Sequence, residues 1–399
     1  MIIPSITLKP GKHVPIVAGH PWIFSEAIAQ GVDAEPGGLV RVLSASGEAL
    51  GIGTWNPLTS IRVRLLTRDD KEEIDTAYFS RRFNELDTWK HDRLPAQTTG
   101  YRIVHAEADG LPGLILDRYD KTFVFQLHTA GMERLRPFIL EALQQTFRPE
   151  VIVERSDLEV RKIEGLDDRP VAVHSGAIDG PVAFRENGLA FVADVLKGQK
   201  TGFFLDQRDA RQAVGKLAQG KRVLNLFSYS GAFSVYAATS GAQFVASVDS
   251  SHSALELAQE QFRQNTLDPE NESAYLFLEA DVLDLLRDED RLPGEPYDFI
   301  ICDPPAFAKS GRQVDKAIAS YIELNTQCFS RLSSGGILVT SSCSGRVSPD
   351  DFRSLLRIAA GRARCDVRVR EWISQPIDHA ERLSFPEGRY LKTAILEVI

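Results

Sequence analysis

"KRVLNLFSYSGAFSVYAATSGAQFVASVDSS", residues 221–251, decides how the last half of the chain folds. An apolar run, "RVLNLF", enters a polar turn around Gly231. A helical stretch, "AFSVYAATSG", follows, and then a second apolar run, "FVASVDS". Strand, turn, helix and strand in this order build a parallel pair with a crossover helix. The rhythm continues through a helix at 252–265, a strand at 274–281, another helix, a strand at 297–305, a long helix and a strand at 336–342. The spacing predicts a doubly wound α/β domain over residues 189–399, and such sheets bind ligands at the carboxyl ends of their strands.

Four of those ends carry polar residues. The first turn, residues 227–231 with Phe227, Ser228, Tyr229 and Gly231, lets backbone approach a ligand at a helix start. It lacks the three-glycine dinucleotide fingerprint, and no glycine stands two residues before Ser230 as a nucleophile elbow requires. A bare structural turn is the alternative. Asp249 ends the next strand, placed either to accept hydrogen bonds from ribose hydroxyls or to cap the following helix, a task open equally to Ser250 or Ser251. Asp281 raises the same pair of readings. Two acids at successive equivalent positions favour an adenosine-type ligand. The fourth end, "FIICDPPAFAKS", stops at Asp303 and continues through Pro304 and Pro305, a stiff extended loop able to hold Phe307 against a planar substrate.

Upstream, residues 1–70 alternate short apolar runs with turn signals, as in "EPGGLVRVLSASGEALGIGTWN" and "SIRVRLLT", and predict a small β-barrel. The charged run "DDKEEID" ends it. Residues 71–188 read as a mixed α+β domain: a helix at 78–89, a hairpin at 113–129, an amphipathic helix at 133–147 and a strand at 150–156. A length of 399 residues suits two or three domains. No apolar run approaches the roughly 20 residues that cross a bilayer, and the opening stretch lacks a signal-peptide core, so a cytoplasmic location and no membrane partner are expected. Cysteines 302, 328, 343 and 365 are too widely spaced for a zinc knuckle or redox pair, and the eight histidines form no HExxH. No metal is expected. A formal charge of −9 disfavours nucleic acid for the whole molecule, although one domain can still carry a basic patch.

The segments "LKGQKTGFFLDQR", "NLFSYSGAFSVYA", "CDPPAFAKS", "SSCS" and "DHAERLSFPEGRYLK", in this order and spacing, resemble the bacterial large-subunit rRNA cytosine-C5 methyltransferases that carry an N-terminal PUA domain. The resemblance covers essentially the whole chain. It implies a Rossmann-like class I methyltransferase domain, S-adenosyl-L-methionine as cofactor, and large-subunit rRNA as partner, naked or in an assembly intermediate, with a homodimer left open. It would lay 227–231 along the methionine part of the cofactor, Asp249 with Ser250 on its ribose, Asp281 near its adenine, and Asp303 at the substrate edge. Gln199, Phe203, Asp206 and Arg208 would lie in a loop over the cofactor; a plain domain connector is the other reading. Ala380 stands where the family carries proline.

The C5 carbon of cytosine is a poor nucleophile. A thiolate added at C6 turns the ring into an enamine whose C5 can accept a methyl group. Cys343, beside hydroxyls at a strand tip, is the best placed thiol for this. Asp303 would hydrogen-bond the cytosine or handle a proton, whereas Cys302, a neighbour along the strand, points to the opposite face and packs in the sheet. An unstacked base needs a pocket and stacking surface, for which Pro304, Pro305, Phe307, Lys309, Phe385, Tyr390 and Lys392 are candidates. Lys12, Arg62 and Arg64, with Lys9, Arg41 and Arg68, are candidates for phosphate contact in the barrel. Alternatives are methylation of another base or position, such as guanine, which needs no thiol, or a non-catalytic RNA-binding protein that keeps the cofactor pocket.

Overall fold

Four buried residues in a row, Phe299 to Cys302, with Tyr297 and Pro304 buried on either side, mark a strand covered on both faces. It is the centre of the sheet that positions the site in the computed structural model, which describes residues 3–287, 296–307 and 314–399. The seven strands of that sheet are β1 (Arg222–Leu226), β2 (Phe244–Asp249), β3 (Tyr275–Glu279), β4 (Tyr297–Cys302), β5 (Leu332–Ser342), β6 (Val367–Ile373) and β7 (Lys392–Val398). Their order is β3-β2-β1-β4-β5-β7-β6. The chain steps outward from β1 to β3 and then returns to β4 on the other side of β1. The two directions part between β1 and β4, where a doubly wound sheet opens a ligand crevice.

Register is tight across this centre: Leu224 pairs with Ala246 and Ile300, Ile300 with Leu338, and Cys302 with Thr340. The chain makes β7 antiparallel to both β5 and β6. The pattern of alternating strands and helices does not foretell that insertion, because its last strand pairs with one more than 50 residues earlier (Thr340 with Ala394). Leu224, Ile300, Leu338 and Leu396 share one core with Tyr321, Cys328 and Phe329 of the helix Val314–Ser330. Helix starts are capped as the residue types demand. Ser251 accepts from Ala254 N–H, and Ser348 and Asp351 form a reciprocal capping box behind Pro349.

The chain divides into two compact units. The second, residues 186–192, 206–376 and 389–399, holds the seven-stranded sheet. The first comprises residues 1–185, 193–205 and 377–388. In it a six-stranded sheet runs from Trp22–Phe24 through Ile61–Thr67, Ala49–Trp55, Leu39–Leu43 and Ser5–Leu8 to Ile28–Gln30. Ile23 near one edge and Ile6 and Leu8 near the other enter one core with Val40, Val42 and Val63, so the sheet curls about its own interior. A five-stranded sheet follows, with the helix Ala130–Phe147 as crossover between the parallel strands Thr122–Leu127 and Val151–Glu154. Asp75 and Thr129 cap the two helices that cover it. Segments 193–205 and 377–388, which the sequence reading assigns to the C-terminal domain, pack with this first unit. Asp378 accepts from the Arg102 amide at 3.0 Å, and Thr201 donates to Asp117 at 2.6 Å.

Candidate active site

The turn after β1 is built from strained backbone. Phe227 and Tyr229 take φ of 57° and 46°, a region costly for residues with a Cβ. Three hydrogen bonds hold it: Ser228 N–H to Val248 O, Gly231 N–H to Ser228 O, and Tyr229 N–H to Asp249 Oδ2 at 2.8 Å. Gly231 has φ of 72°, and a Cβ there would stand 2.7 Å from that of Ala258. The turn therefore needs glycine at this point. Asp249 does not cap the helix, a task that Ser251 performs: one carboxylate oxygen of Asp249 binds the turn, and the other accepts from Ser251 N–H at 2.9 Å. Ser250 beside it is exposed. Ser228 Oγ is buried with no hydrogen-bond partner among the described residues, a donor turned inward at the turn. Asp281 serves the local role that its position allowed, accepting from the amides of Leu283 and Asp284 at the start of Val282–Arg287.

At the neighbouring strand ends the two thiols part. Cys302 is fully buried at the end of β4, and burial pushes its thiol well up, with Cys328 and Asp303 adding to the effect. One step on, Asp303 is half-buried, Pro304 is buried and Pro305 is exposed. The Phe307 ring lies 4.8 Å from that of Tyr321. Cys343 follows the last residue of β5 and is half-buried. Its neighbour Ser342 pairs across the sheet with Lys392, the first residue of β7. Lys392 is only 7% exposed, so it is no open stacking or phosphate contact. Its ammonium donates at 2.8 Å to the carbonyls of Ser344 and Val347, which bracket the loop after Cys343. Burial pushes Lys392 down to about 8, while Cys343 acts to hold the charge on. Tyr321 completes the floor. Ser342 Oγ donates to its hydroxyl at 3.1 Å, Ser344 Oγ lies 3.2 Å away, and the charges of Cys343 and Asp303 both bear on it. In the sequence, Tyr321 and Ser342 stand 21 positions apart, and no local pattern links them.

The remaining candidates are distributed unevenly. In the second unit Tyr390 donates to Asp206 at 2.7 Å. Arg208 is buried near Glu186, which Arg211 grips at 2.8 and 2.6 Å. In the first unit Phe203 is buried against Phe184, with ring centroids 4.9 Å apart, while Gln199 is exposed and accepts from Gly202 N–H. Phe385 is not an open platform: its ring packs 4.8 Å from Trp22 and 5.8 Å from His20. Arg64 is not a surface contact either, since it pairs with Glu164 at 2.8 Å and Glu107 at 3.7 Å in a largely buried setting. Arg62 donates to the Pro57 carbonyl, and Lys12 is exposed on a turn. Lys309 lies outside the described residues.

Taken by chemistry, the turn and the ends of β2 and β4 offer carboxylates, a buried hydroxyl and a close-approach glycine backbone. A cationic, hydroxyl-bearing ligand such as S-adenosylmethionine suits that donor set. Residues 168–377 match the family model for S-adenosylmethionine-dependent methyltransferases, and residues 6–68 match that for PUA-like domains. The chain is 40% identical over 396 residues to ribosomal RNA large subunit methyltransferase I of Shewanella frigidimarina, covering 98% of this chain and 99% of that protein. It is likewise 40% identical over 394 residues to the protein of that name from Aeromonas salmonicida, covering 98% of each. A candidate methyltransferase solved in complex with SAH superposes with a TM-score of 0.83 at 25% identity over the full length of both chains. A Streptococcus mutans protein of 24% identity, matched over 99% of this chain and 100% of its own, shares the fold with a TM-score of 0.82. The chain belongs to the ribosomal RNA large subunit methyltransferase I family, S-adenosylmethionine-dependent methyltransferases preceded by a PUA-like domain.

Proposed function

We propose that this protein methylates C5 of a cytosine in large-subunit rRNA, with Cys343 as the nucleophile and the PUA-like domain engaging the RNA. The observation that carries the reading is the partly exposed Cys343 thiol at the end of β5, beside Lys392 and sharing the Tyr321 floor with Asp303. Nitrogen methylation has no use for such a thiol. The names of the relatives support rRNA as substrate.

Cys343 loses its proton, and the Lys392 charge nearby favours the thiolate. The sulfur adds to C6 of the base, forming a carbon–sulfur bond and leaving C5 electron-rich. Bound S-adenosylmethionine supplies an electrophilic methyl group; the turn at 227–231, Asp249 and, more distantly, Asp281 would hold it. Asp303 hydrogen-bonds the cytosine edge or takes up a proton. Once C5 carries its methyl, loss of the C5 proton and cleavage of the carbon–sulfur bond restore the aromatic ring and the thiolate. Asp206 and Tyr390, joined by their hydrogen bond, and Arg208 are assigned to the support of the cofactor.

The test is transfer of labelled methyl to unmodified large-subunit rRNA, followed by nucleoside analysis. Label in 5-methylcytidine that disappears with Cys343→Ala is expected. Label in a guanosine, or label undiminished in the variant, would overturn the reading.

A further inference from the structure

Two of the six cations expected to face RNA from the PUA-like domain, Arg64 and Arg41, are paired with carboxylates of the first unit. Arg64 is held by Glu164 and Glu107, Arg41 lies 3.5 Å from Asp70, and Arg62 serves a carbonyl. A different basic group gathers in the first unit. Arg68 follows the strand Ile61–Thr67, Arg82 lies on the helix Thr76–His91, and Arg382 belongs to the segment 377–388. Arg82 and Arg382 donate to carbonyls of one short turn, Asp109 O at 2.9 Å and Glu107 O at 3.4 Å. They flank Gly110, where a Cβ would stand 3.4 Å from Arg82 Nη2 and 3.9 Å from Arg382 Nη1. Arg68 donates to Ile16 O at 3.0 Å, and its Nη2 and the Ser384 hydroxyl both lie within 3.2 Å of the position a Cβ on Gly19 would take.

The carboxylates nearby are already committed. Asp109 accepts from Lys90 Nζ at 2.5 Å and from His105 N–H at 2.6 Å. Glu107 accepts from Trp22 Nε1 and faces Arg64. Glu85 pairs with Arg82 at an exposed edge. Among the described residues, neither Arg68 nor Arg382 forms an ion pair. Each guanidinium carries five donors, and one carbonyl uses one of them. Burial first, and then Arg68 and Arg82, push the Arg382 guanidinium below its ordinary value, and Asp109, acting the other way, offsets them only in part. Arg68 is exposed, and Arg82, Arg382 and Ser384 are partly so.

We propose that Arg68, Arg82 and Arg382, with the Ser384 hydroxyl, form a docking site for a backbone phosphate of the RNA substrate. The inference rests on the reading of this chain as an RNA methyltransferase. Planar guanidinium forks match phosphate oxygens, and an anion would relieve the mutual repulsion of the cluster. The site would position RNA without reading its sequence.

The test is binding of a fluorescent, unmodified large-subunit rRNA transcript to the full-length protein over a series of salt concentrations. Arg68→Gln/Arg382→Gln should bind about tenfold more weakly near 0.1 M salt, with the salt slope shallower by about one. Its SAH affinity and melting temperature should match wild type, and Cys343→Ala should keep the wild-type slope. Arg68→Lys/Arg382→Lys, which retains the charge, should recover most of the slope. Wild-type affinity and slope in the Gln pair would overturn the site while leaving the methyltransferase reading intact. Equal losses in the Lys and Gln pairs would also overturn it, by showing that the arginines act through packing. A wild-type protein that fails to bind the transcript would overturn the underlying reading and the site with it.

Discussion

The ends of β4 and β5 hold two cysteines in neighbouring strands of one sheet, yet their surroundings are opposite. Cys302 is the last residue of its strand, fully buried, with Cys328 and Asp303 making its ionisation harder. Cys343 lies just past the end of β5, partly open, with the Lys392 ammonium nearby and hydroxyls on both sides. A shift of a single residue beyond the sheet's edge separates a fully buried thiol from a partly open one. The carboxylates divide in the same way. Asp281 caps a helix, whereas Asp249 ties a strained turn to its strand.

The largest effect should separate the thiols. Cys343→Ala is expected to lower methyl transfer about a thousandfold or more, with cofactor affinity unchanged. Cys302→Ala should leave turnover within about threefold and instead cost about 1–2 kcal/mol of stability through the cavity left in the core. Single-turnover kinetics and thermal melts check the pair, and equal losses of activity would break the contrast.

The acids come next. Asp249→Asn should weaken SAH binding about 10- to 100-fold, because a charged acceptor is lost from both the turn and the ligand. Asp281→Asn should cost less than about threefold in affinity, with about 0.5–1 kcal/mol of stability as the cap weakens. Calorimetric titration with SAH distinguishes them. Gly231→Ala, forced to φ of 72° and against Ala258, should lose about 1–2 kcal/mol in a melt.

The smallest effect concerns Lys392, whose ammonium titrates at about 8 in the folded protein against an ordinary 10.5. Below about pH 8 its charge supports the Cys343 thiolate. Lys392→Met should therefore move the pH profile of Cys343 alkylation upward by about half a unit to one unit. The two profiles should converge above pH 8, where the wild-type ammonium gives up its proton. Between pH 8 and 10.5 the unfolded chain binds a proton that the folded one lacks. Wild type should then gain stability relative to Lys392→Met as pH rises through that window.

Much of this was legible in the order of residues. Buried parallel strands read as apolar runs, and a polar residue that ends such a run, like Asp303 after "FIIC", marks a sheet edge without need of tertiary information. What stayed hidden depends on long-range pairing. The strand β7 looks like any short apolar stretch until it pairs with β5, and only that pairing brings Lys392 to the residue before Cys343. Arg64 reads as a surface cation until Glu164, 100 positions later, closes on it. Phe385 and Lys392 sit seven residues apart in one motif, but the chain crosses from the first unit to the second between them, so one ring packs on Trp22 while the amine enters the sheet.

The most direct measurement is mass spectrometry of the protein after incubation with S-adenosylmethionine and large-subunit rRNA carrying 5-fluorocytidine. Fluorine in place of the departing C5 proton blocks ring restoration, so the carbon–sulfur bond should persist. The account predicts a nucleotide adduct on the peptide containing Cys343, absent from Cys343→Ala. An adduct on Cys302, or active enzyme with no adduct at all, would contradict it.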